Sequence, residues 1–241
     1  MFISFIIPAH NEELLIDRCL ANLRAAATAS GKPFEIIVAA DGCTDRTVAI
    51  AREAGAIVVE HDRRQIAATR NLGARHANGD ALFFIDADTF VIETNIREAL
   101  AALDAGAAGG GAPMQLDGEL SWHIRLFVPT LMWLFRAFKL TGGAFFFCTR
   151  AAFNSAGGWD EQYFASEEIH LAREIKKHGP FAINRSIVMT SGRKARAYSG
   201  WRVWWLILTI SLRPSMLKDR TRLWLWYDPR EPDTAASQRK A

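Results

Sequence analysis

From Phe2 to Asp86 the chain alternates short apolar runs with longer stretches in which apolar residues recur every three or four positions. The runs Phe2 to Pro8 (FISFIIP), Phe34 to Ala40 (FEIIVAA), Ala56 to Glu60 and 81 to 86 read as strands. Between them, 12 to 29 places Leu15, Ile16, Cys19, Leu20 and Leu23 at helical spacing, and 44 to 54 and 65 to 77 read as two further helices. Strands alternating with helices predict an α/β fold with a mostly parallel sheet and right-handed crossovers. In such a sheet the binding crevice collects the loops that follow the strand carboxyl ends, here those starting at Pro8, Asp41, His61 and Asp86. Three of these four loops carry polar clusters.

The stretch Asp80 to Thr89, DALFFIDADT, drives an apolar run straight into two carboxylates, Asp86 and Asp88. On an extended backbone, side chains two apart point the same way, so the pair is expected to face a divalent cation or the polar groups around it. A solvated strand end is the plainer alternative. The first strand runs into PAHNEE where a dinucleotide site would have G-x-G-x-x-G, and no G-x-x-x-x-G-K-[ST] occurs. Both absences argue against NAD-dependent and P-loop chemistry.

Four segments, FIIPAHNEE (5–13), VAADGCTDRT (38–47), AATRNLGARHANGD (67–80) and FFIDAD (83–88), resemble in order and spacing the family-2 glycosyltransferases. The resemblance continues through GGAFFFCTRAAFNSAGGWDEQYFASEEIHLAREIKKHG (142–179), which looks like the acceptor-side half of those enzymes. It implies the GT-A nucleotide-sugar-binding fold, an inverting, non-processive reaction, and a nucleoside-diphosphate sugar, UDP-linked by preference, as donor. On the donor side it implies a turn at Pro8 and Ala9 packed on the nucleoside, Asp41 accepting from a base N–H, Arg70 near the diphosphate, Asp86 on the ribose and Asp88 as ligand to Mg²⁺ or Mn²⁺. Ala40 stands where many members have a second Asp. On the acceptor side it implies that Glu168, second of the acidic pair after Ser166, is the general base. Gly142, Gly143, Trp159, Glu167 and His170 are further acceptor-side candidates.

Each assignment has a structural alternative. Asp41 could serve only to shape the Asp41-Gly42 turn, Arg70 could be a solvated helical Arg, and Glu167 and Glu168 could be first-turn partners of a helix dipole running through Leu171, Ile175 and His178. His170 could simply cap the helix face, and Thr44, Asp45 and Thr47 read as capping residues.

The 241 residues suit one α/β domain with a C-terminal addition, and a net charge of +3 gives no ground for a nucleic-acid partner. Cys19, Cys43 and Cys148 lack metal or disulfide spacing, which suits a reducing cytoplasm. Met1 to Pro8 reads as a strand and not as a signal peptide. No apolar run reaches the roughly 18 residues a membrane span needs.

Two segments nevertheless suggest an interface. In 120 to 140 (LSWHIRLFVPTLMWLFRAFKL) a helical projection gathers Arg125, Arg136 and Lys139 on one side, with Pro129 as an interruption. The second is the basic stretch Arg193, Lys194, Arg196 followed by WRVWWLILTISLR. Trp with flanking Arg suits a helix lying in a membrane surface, which would place the protein peripherally on the inner face of the cytoplasmic membrane. Burial in the core or a homo-oligomer contact is the alternative. The resulting division is a donor-binding half (1–115), an acceptor-side half (116–192), a helical extension (193–227) and a polar, disordered tail (228–241). The acceptor is unknown. A polyprenyl-phosphate glycosyltransferase and a catalytically inactive nucleotide-sugar-binding protein are the rival functions.

Overall fold

The first strand, β1 (Ile3–Ala9), is buried along its whole length because both sheet faces are covered. Ile3, Phe5 and Ile7 enter one core cluster while Ile6 enters the other, as the two-residue strand period requires. The same alternation recurs in β4 (Ala81–Ile85), where Phe83 and Ile85 face one side and Leu82 and Phe84 the other. Two-sided burial explains why these strands read as unbroken apolar runs. The structure is a computed structural model and describes residues 1–118, 141–193, 205–206, 209–210 and 213–223.

The main sheet adds β2 (Phe34–Asp41), β3 (Ile57–His61), β6 (Gly109–Gly111), β8 (Phe145–Thr149) and β9 (Phe181–Ile183), in the order β3-β2-β1-β4-β8-β6-β9. β3, β2, β1 and β4 are mutually parallel, whereas β8 runs antiparallel to both β4 and β6. A smaller sheet has the order β5-β10-β7, from β5 (Thr89–Phe90), β7 (Met114–Leu116) and β10 (Val188–Thr190). On one face of the main sheet pack α1 (Ile16–Ala29), α2 (Thr47–Glu53) and α4 (Glu93–Asp104); on the other pack α3 (Ile66–His76) and α6 (Glu167–Ile175). A short α5 (Arg150–Ser155) follows β8, capped by the Thr149 hydroxyl accepting from the Ala152 N–H. The 3₁₀ turns Pro214–Lys218 and Arg220–Arg222 close the described chain.

The strand order reverses at β1, whose neighbours are β2 and β4, so the loops after β1 and β4 flank the switch point where open sheets bind ligands. The donor and acceptor halves read from the sequence share one sheet, since β8 lies between β4 and β6. Three boundaries differ from the periodicity. α1 begins at Ile16, not at 12, because the Glu12 N–H is drawn to the Thr47 hydroxyl and 10–15 form a turn. α2 begins at Thr47, not at 44, because the Thr44 N–H goes to the Asn11 side chain and Asp45 accepts from the Thr47 N–H. α6 stops at Ile175, short of His178. The amphipathic segment 120–140, most of the 193–227 extension and the 228–241 tail lie outside the described residues. Among those described, no helix is long and apolar enough to cross a membrane.

Candidate active site at the end of β4

Arg70, on α3, is 1 % exposed, and every polar contact it makes joins two parts of the chain. Its Nη1 donates to Glu167 Oε1 at 2.6 Å, and its Nη2 donates to Asp86 Oδ1 at 2.9 Å and to the Gly143 carbonyl at 3.1 Å. The guanidinium also lies over the Trp159 ring, 4.5 Å from its centroid. Gly143 leaves room for the guanidinium, since a Cβ at that position would stand 2.6 Å from Arg70 Nη2. Burial works against the charged guanidinium, but Asp86, Glu167 and Glu168 outweigh it and raise its pKa above the ordinary value. In this geometry the residue read as a diphosphate partner binds Asp86 to three acceptor-side candidates, Gly143, Trp159 and Glu167.

Ser166 precedes α6 in the left-handed region, φ 58°, and its side chain makes no cap bond. Left-handed backbone at a non-glycine residue is uncommon and is held by its surroundings. Here it directs Glu167 inward to Arg70 while Glu168 stays partly buried beside it. Burial, then the Glu167 charge, pushes the Glu168 carboxyl up to about 8, with Arg70 opposing and Asp86 adding to the rise. His170, two residues on, stacks against Tyr163 with centroids 5.2 Å apart, and its Nε2 lies 3.9 Å from Asp160 Oδ2. Gly142 lies against Met114, where a Cβ would meet the methionine Cε at 2.1 Å.

Asp86 and Asp88 follow the end of β4 in a turn, with the Thr89 N–H donating to the Asp86 carbonyl, so the extended-backbone argument for their common direction does not hold. They are held by different partners. Asp88 Oδ1 accepts from the Thr190 hydroxyl at 3.3 Å, and Oδ2 accepts from Arg193 Nη2 at 3.1 Å. The same Arg193 nitrogen donates to Glu12 Oε1 at 2.5 Å. Arg193 was read as the start of a membrane-facing basic stretch, yet its side chain is only 14 % exposed and turns into the site. Neither it nor the buried Glu12 was read from the sequence as a site residue. The two are 181 positions apart, and no local pattern links them.

Asp41 ends β2, and its carboxylate is committed within the chain. Oδ1 accepts from the N–H groups of Arg63 and Arg64, and Oδ2 from the Gln65 N–H and the Thr69 hydroxyl. Burial works against its charge, but these donors outweigh it and hold the carboxyl below its usual range. Four bonds fill the roughly four acceptor positions of a carboxylate, so a base N–H could engage Asp41 only by exchange. Pro8 and Ala9 are the last residues of β1, both buried and paired with Ala39 and Ala40; the turn begins at His10. Asn11 and Arg64, in the loops after β1 and β3, also have positive φ, 50° and 52°.

Among the described residues no three His, Cys, Asp or Glu side chains gather as a metal cage. The donor set suits a hard cation that arrives with a diphosphate, because Mg²⁺-type sites commonly use one or two carboxylates and complete their shell with phosphate oxygens and water. Asp88, already paired with a cation in Arg193, fits that part.

The α/β architecture, with its mostly parallel sheet and flanking helices, is that of GT-A glycosyltransferases. It aligns with a mannosyltransferase from Pyrobaculum calidifontis, solved with GDP-Man and Mn²⁺, at TM-score 0.68 and 21 % identity, covering 92 % of this chain and 69 % of that one. A glucosyl-3-phosphoglycerate synthase from Mycobacterium tuberculosis, solved with Mn²⁺, UDP and glucosyl-3-phosphoglycerate, aligns at TM-score 0.59 and 18 % identity, covering 91 % and 79 %. Residues 4–157 match the family described as Glycosyl transferase family 2, and the chain belongs to that family. Among curated relatives, an undecaprenyl-phosphate 4-deoxy-4-formamido-L-arabinose transferase of Edwardsiella ictaluri is 31 % identical over 132 residues, 52 % of this chain and 40 % of the relative. A validoxylamine A glucosyltransferase of Streptomyces hygroscopicus subsp. limoneus is 32 % identical over 106 residues, 42 % and 23 %. The chain thus spans well under half the length of these two relatives.

Proposed function

We propose that this chain transfers a sugar, with inversion, from a nucleoside-diphosphate sugar to an acceptor hydroxyl. The observation that carries the reading is the Arg70 network, which joins the donor-side Asp86 to Glu167 and leaves Glu168 beside it with a pKa pushed up to about 8. A carboxylate tuned near the working pH is what general-base catalysis favours. Glu168 takes the proton of the acceptor hydroxyl as that oxygen attacks the anomeric carbon, and the nucleoside diphosphate leaves from the opposite face. Asp86 orients the ribose while Arg70 holds the Asp86 carboxylate in place. Asp88 would hold Mg²⁺ or Mn²⁺, which when bound neutralises charge on the departing diphosphate.

The donor set is tested by thermal shift with UDP and GDP, with and without Mn²⁺, since a ligand that binds only the folded chain raises its stability. UDP with Mn²⁺ should raise the midpoint of the wild-type chain, and Asp88→Asn should lose the metal-dependent part with its fold intact. Metal-dependent nucleotide stabilisation unchanged in Asp88→Asn would remove Asp88 from the site. A second reading is supported by relatives named as undecaprenyl-phosphate transferases, one of them 33 % identical over 95 residues in Shewanella sediminis. A polyprenyl-phosphate acceptor is already an anion and needs little help from a base. Full turnover on such an acceptor by Glu168→Gln would favour it.

A further inference from the structure

Arg193 Nη2 is the point on which two carboxylates from opposite sides of the switch point converge, Glu12 after β1 and Asp88 after β4. The guanidinium reaches them from the segment after β10, which is anchored on the same turn: the Ser191 N–H donates to the Asp88 carbonyl, and the Thr190 hydroxyl to the Asp88 carboxylate. A second anchor sits behind it, where the Gly192 N–H donates to Asp117 Oδ1. All three charged side chains are largely buried, at 14 % for Arg193, 4 % for Glu12 and 16 % for Asp88. Two buried carboxylates thus share one guanidinium nitrogen as their pairing partner.

We infer that Arg193 is a built-in counter-cation of the donor site, which holds Asp88 while no metal-diphosphate is bound and must release it for Asp88 to ligate the metal. The inference rests on Asp88 being the metal ligand. A guanidinium on Asp88 Oδ2 and a divalent cation compete for the same carboxylate, because the two positive charges repel at ligand distance. Binding of metal alone is therefore in competition with Arg193. Tight binding waits for a ligand that brings its own negative charge, so metal and nucleotide enter together. The apparent affinity for metal falls by the fraction of molecules in which Asp88 is open. The segment that carries Arg193 has to shift or re-pair its guanidinium when the donor enters, which couples the start of the C-terminal extension to donor binding.

The test is titration calorimetry of Mn²⁺ alone, then of UDP at saturating Mn²⁺, on the full chain as wild type, Arg193→Gln, Arg193→Lys, Asp88→Asn and the Asp88→Asn/Arg193→Gln double variant. Arg193→Gln should bind Mn²⁺ alone about tenfold more tightly, the gain expected if the closed pair holds about nine molecules in ten. Arg193→Lys keeps the charge but loses the planar fork, so it should fall between, and it supplies the test if Arg193→Gln does not fold. Mn²⁺ affinity that is unchanged or weaker in both Arg193 variants, while Asp88→Asn abolishes metal-dependent UDP binding, would overturn the inference and leave the donor-site reading standing. A gain that persists undiminished in the Asp88→Asn background would reduce it to a general field effect and also overturn it. Wild-type Mn²⁺ and UDP binding by Asp88→Asn would remove both readings together.

Discussion

Arg70→Met separates the site's scaffold from its chemistry, because methionine keeps much of the apolar stem and removes three hydrogen bonds and the cation over Trp159. The two carboxylates it abandons differ. Asp86 is 31 % exposed and can rehydrate, whereas Glu167, at 5 %, is left as a buried charge without its partner. Breaking a buried ion pair from one side costs about 3–5 kcal/mol. That is a large part of the roughly 5–15 kcal/mol that holds a domain folded. At about 2–4 °C per kcal/mol for a chain of this size, the midpoint should fall by about 6–20 °C. Glu167→Gln added to Arg70→Met removes the stranded charge and should recover part of the loss. Urea unfolding with an unchanged m-value measures both, and the pair forms a double-mutant cycle. A loss below about 1 kcal/mol in Arg70→Met, or a double variant no more stable than the single one, would refute the account of Arg70 as a buried hub. The surviving folded fraction reports on chemistry as well. Arg70 opposes the rise of the Glu168 pKa, so its removal should move the basic-side onset of activity to still higher pH.

Glu168→Gln should lower kcat by about 10²–10⁴ on a hydroxyl acceptor with UDP affinity nearly unchanged, and equal losses in Glu167→Gln would mean that the pair acts as scaffold. Wild-type kcat/KM should climb with pH through about 8, where Glu168 loses its proton, and initial rates across pH 6–9 check this. Stability should move the other way. An unfolded Glu titrates near about 4.3, so between that pH and about 8 the folded chain holds the extra proton and its stability falls as pH rises, a slope that Glu168→Gln should flatten in urea titrations. Asp41→Ala strands the N–H groups of Arg63, Arg64 and Gln65 and should cost about 1–3 kcal/mol with faster amide exchange at 63–65; protection there equal to wild type would leave Asp41 free for a base. Replacing Arg125, Arg136 and Lys139 by Gln should weaken flotation with anionic liposomes at low salt, and a wild-type chain that never floats would assign 120–140 to core or a partner.

Three of the first four strands, β1, β2 and β4, were legible because both faces of their sheet are covered, which writes each as an apolar run, and the helices between the strands as a 3.6-residue period. Direction was not legible. FFFC in β8 is as apolar a run as LFFI in β4, yet it runs antiparallel, because strand polarity depends on the connection and not on the residues of the strand. β6 was invisible for the opposite reason. Its three glycines offer no apolar run, yet a Cβ at Gly110 would stand 2.2 Å from the Ala182 carbonyl and 2.4 Å from the Phe147 ring, so the strand exists only because side chains are missing from it.

The site divides along the same line. The apolar run ahead of them brought Asp86 and Asp88 forward, and the resemblance to the family brought Glu167 and Glu168. What joins or opposes them was not visible, because each link is a cation whose partners are distant in sequence: Arg70 reaches 97 residues to Glu167, and Arg193 reaches 105 residues back to Asp88. A helical Arg offers a sequence reader two fates, solvent or phosphate. Burial between carboxylates is a third, and it changes the chemistry assigned to the neighbours. Arg70 holds Asp86 and opposes the rise of the Glu168 pKa, while Arg193 joins Asp88 to Glu12. On the proposed reading the acidic residues supply the reactive groups, and the two arginines determine which partners those groups hold.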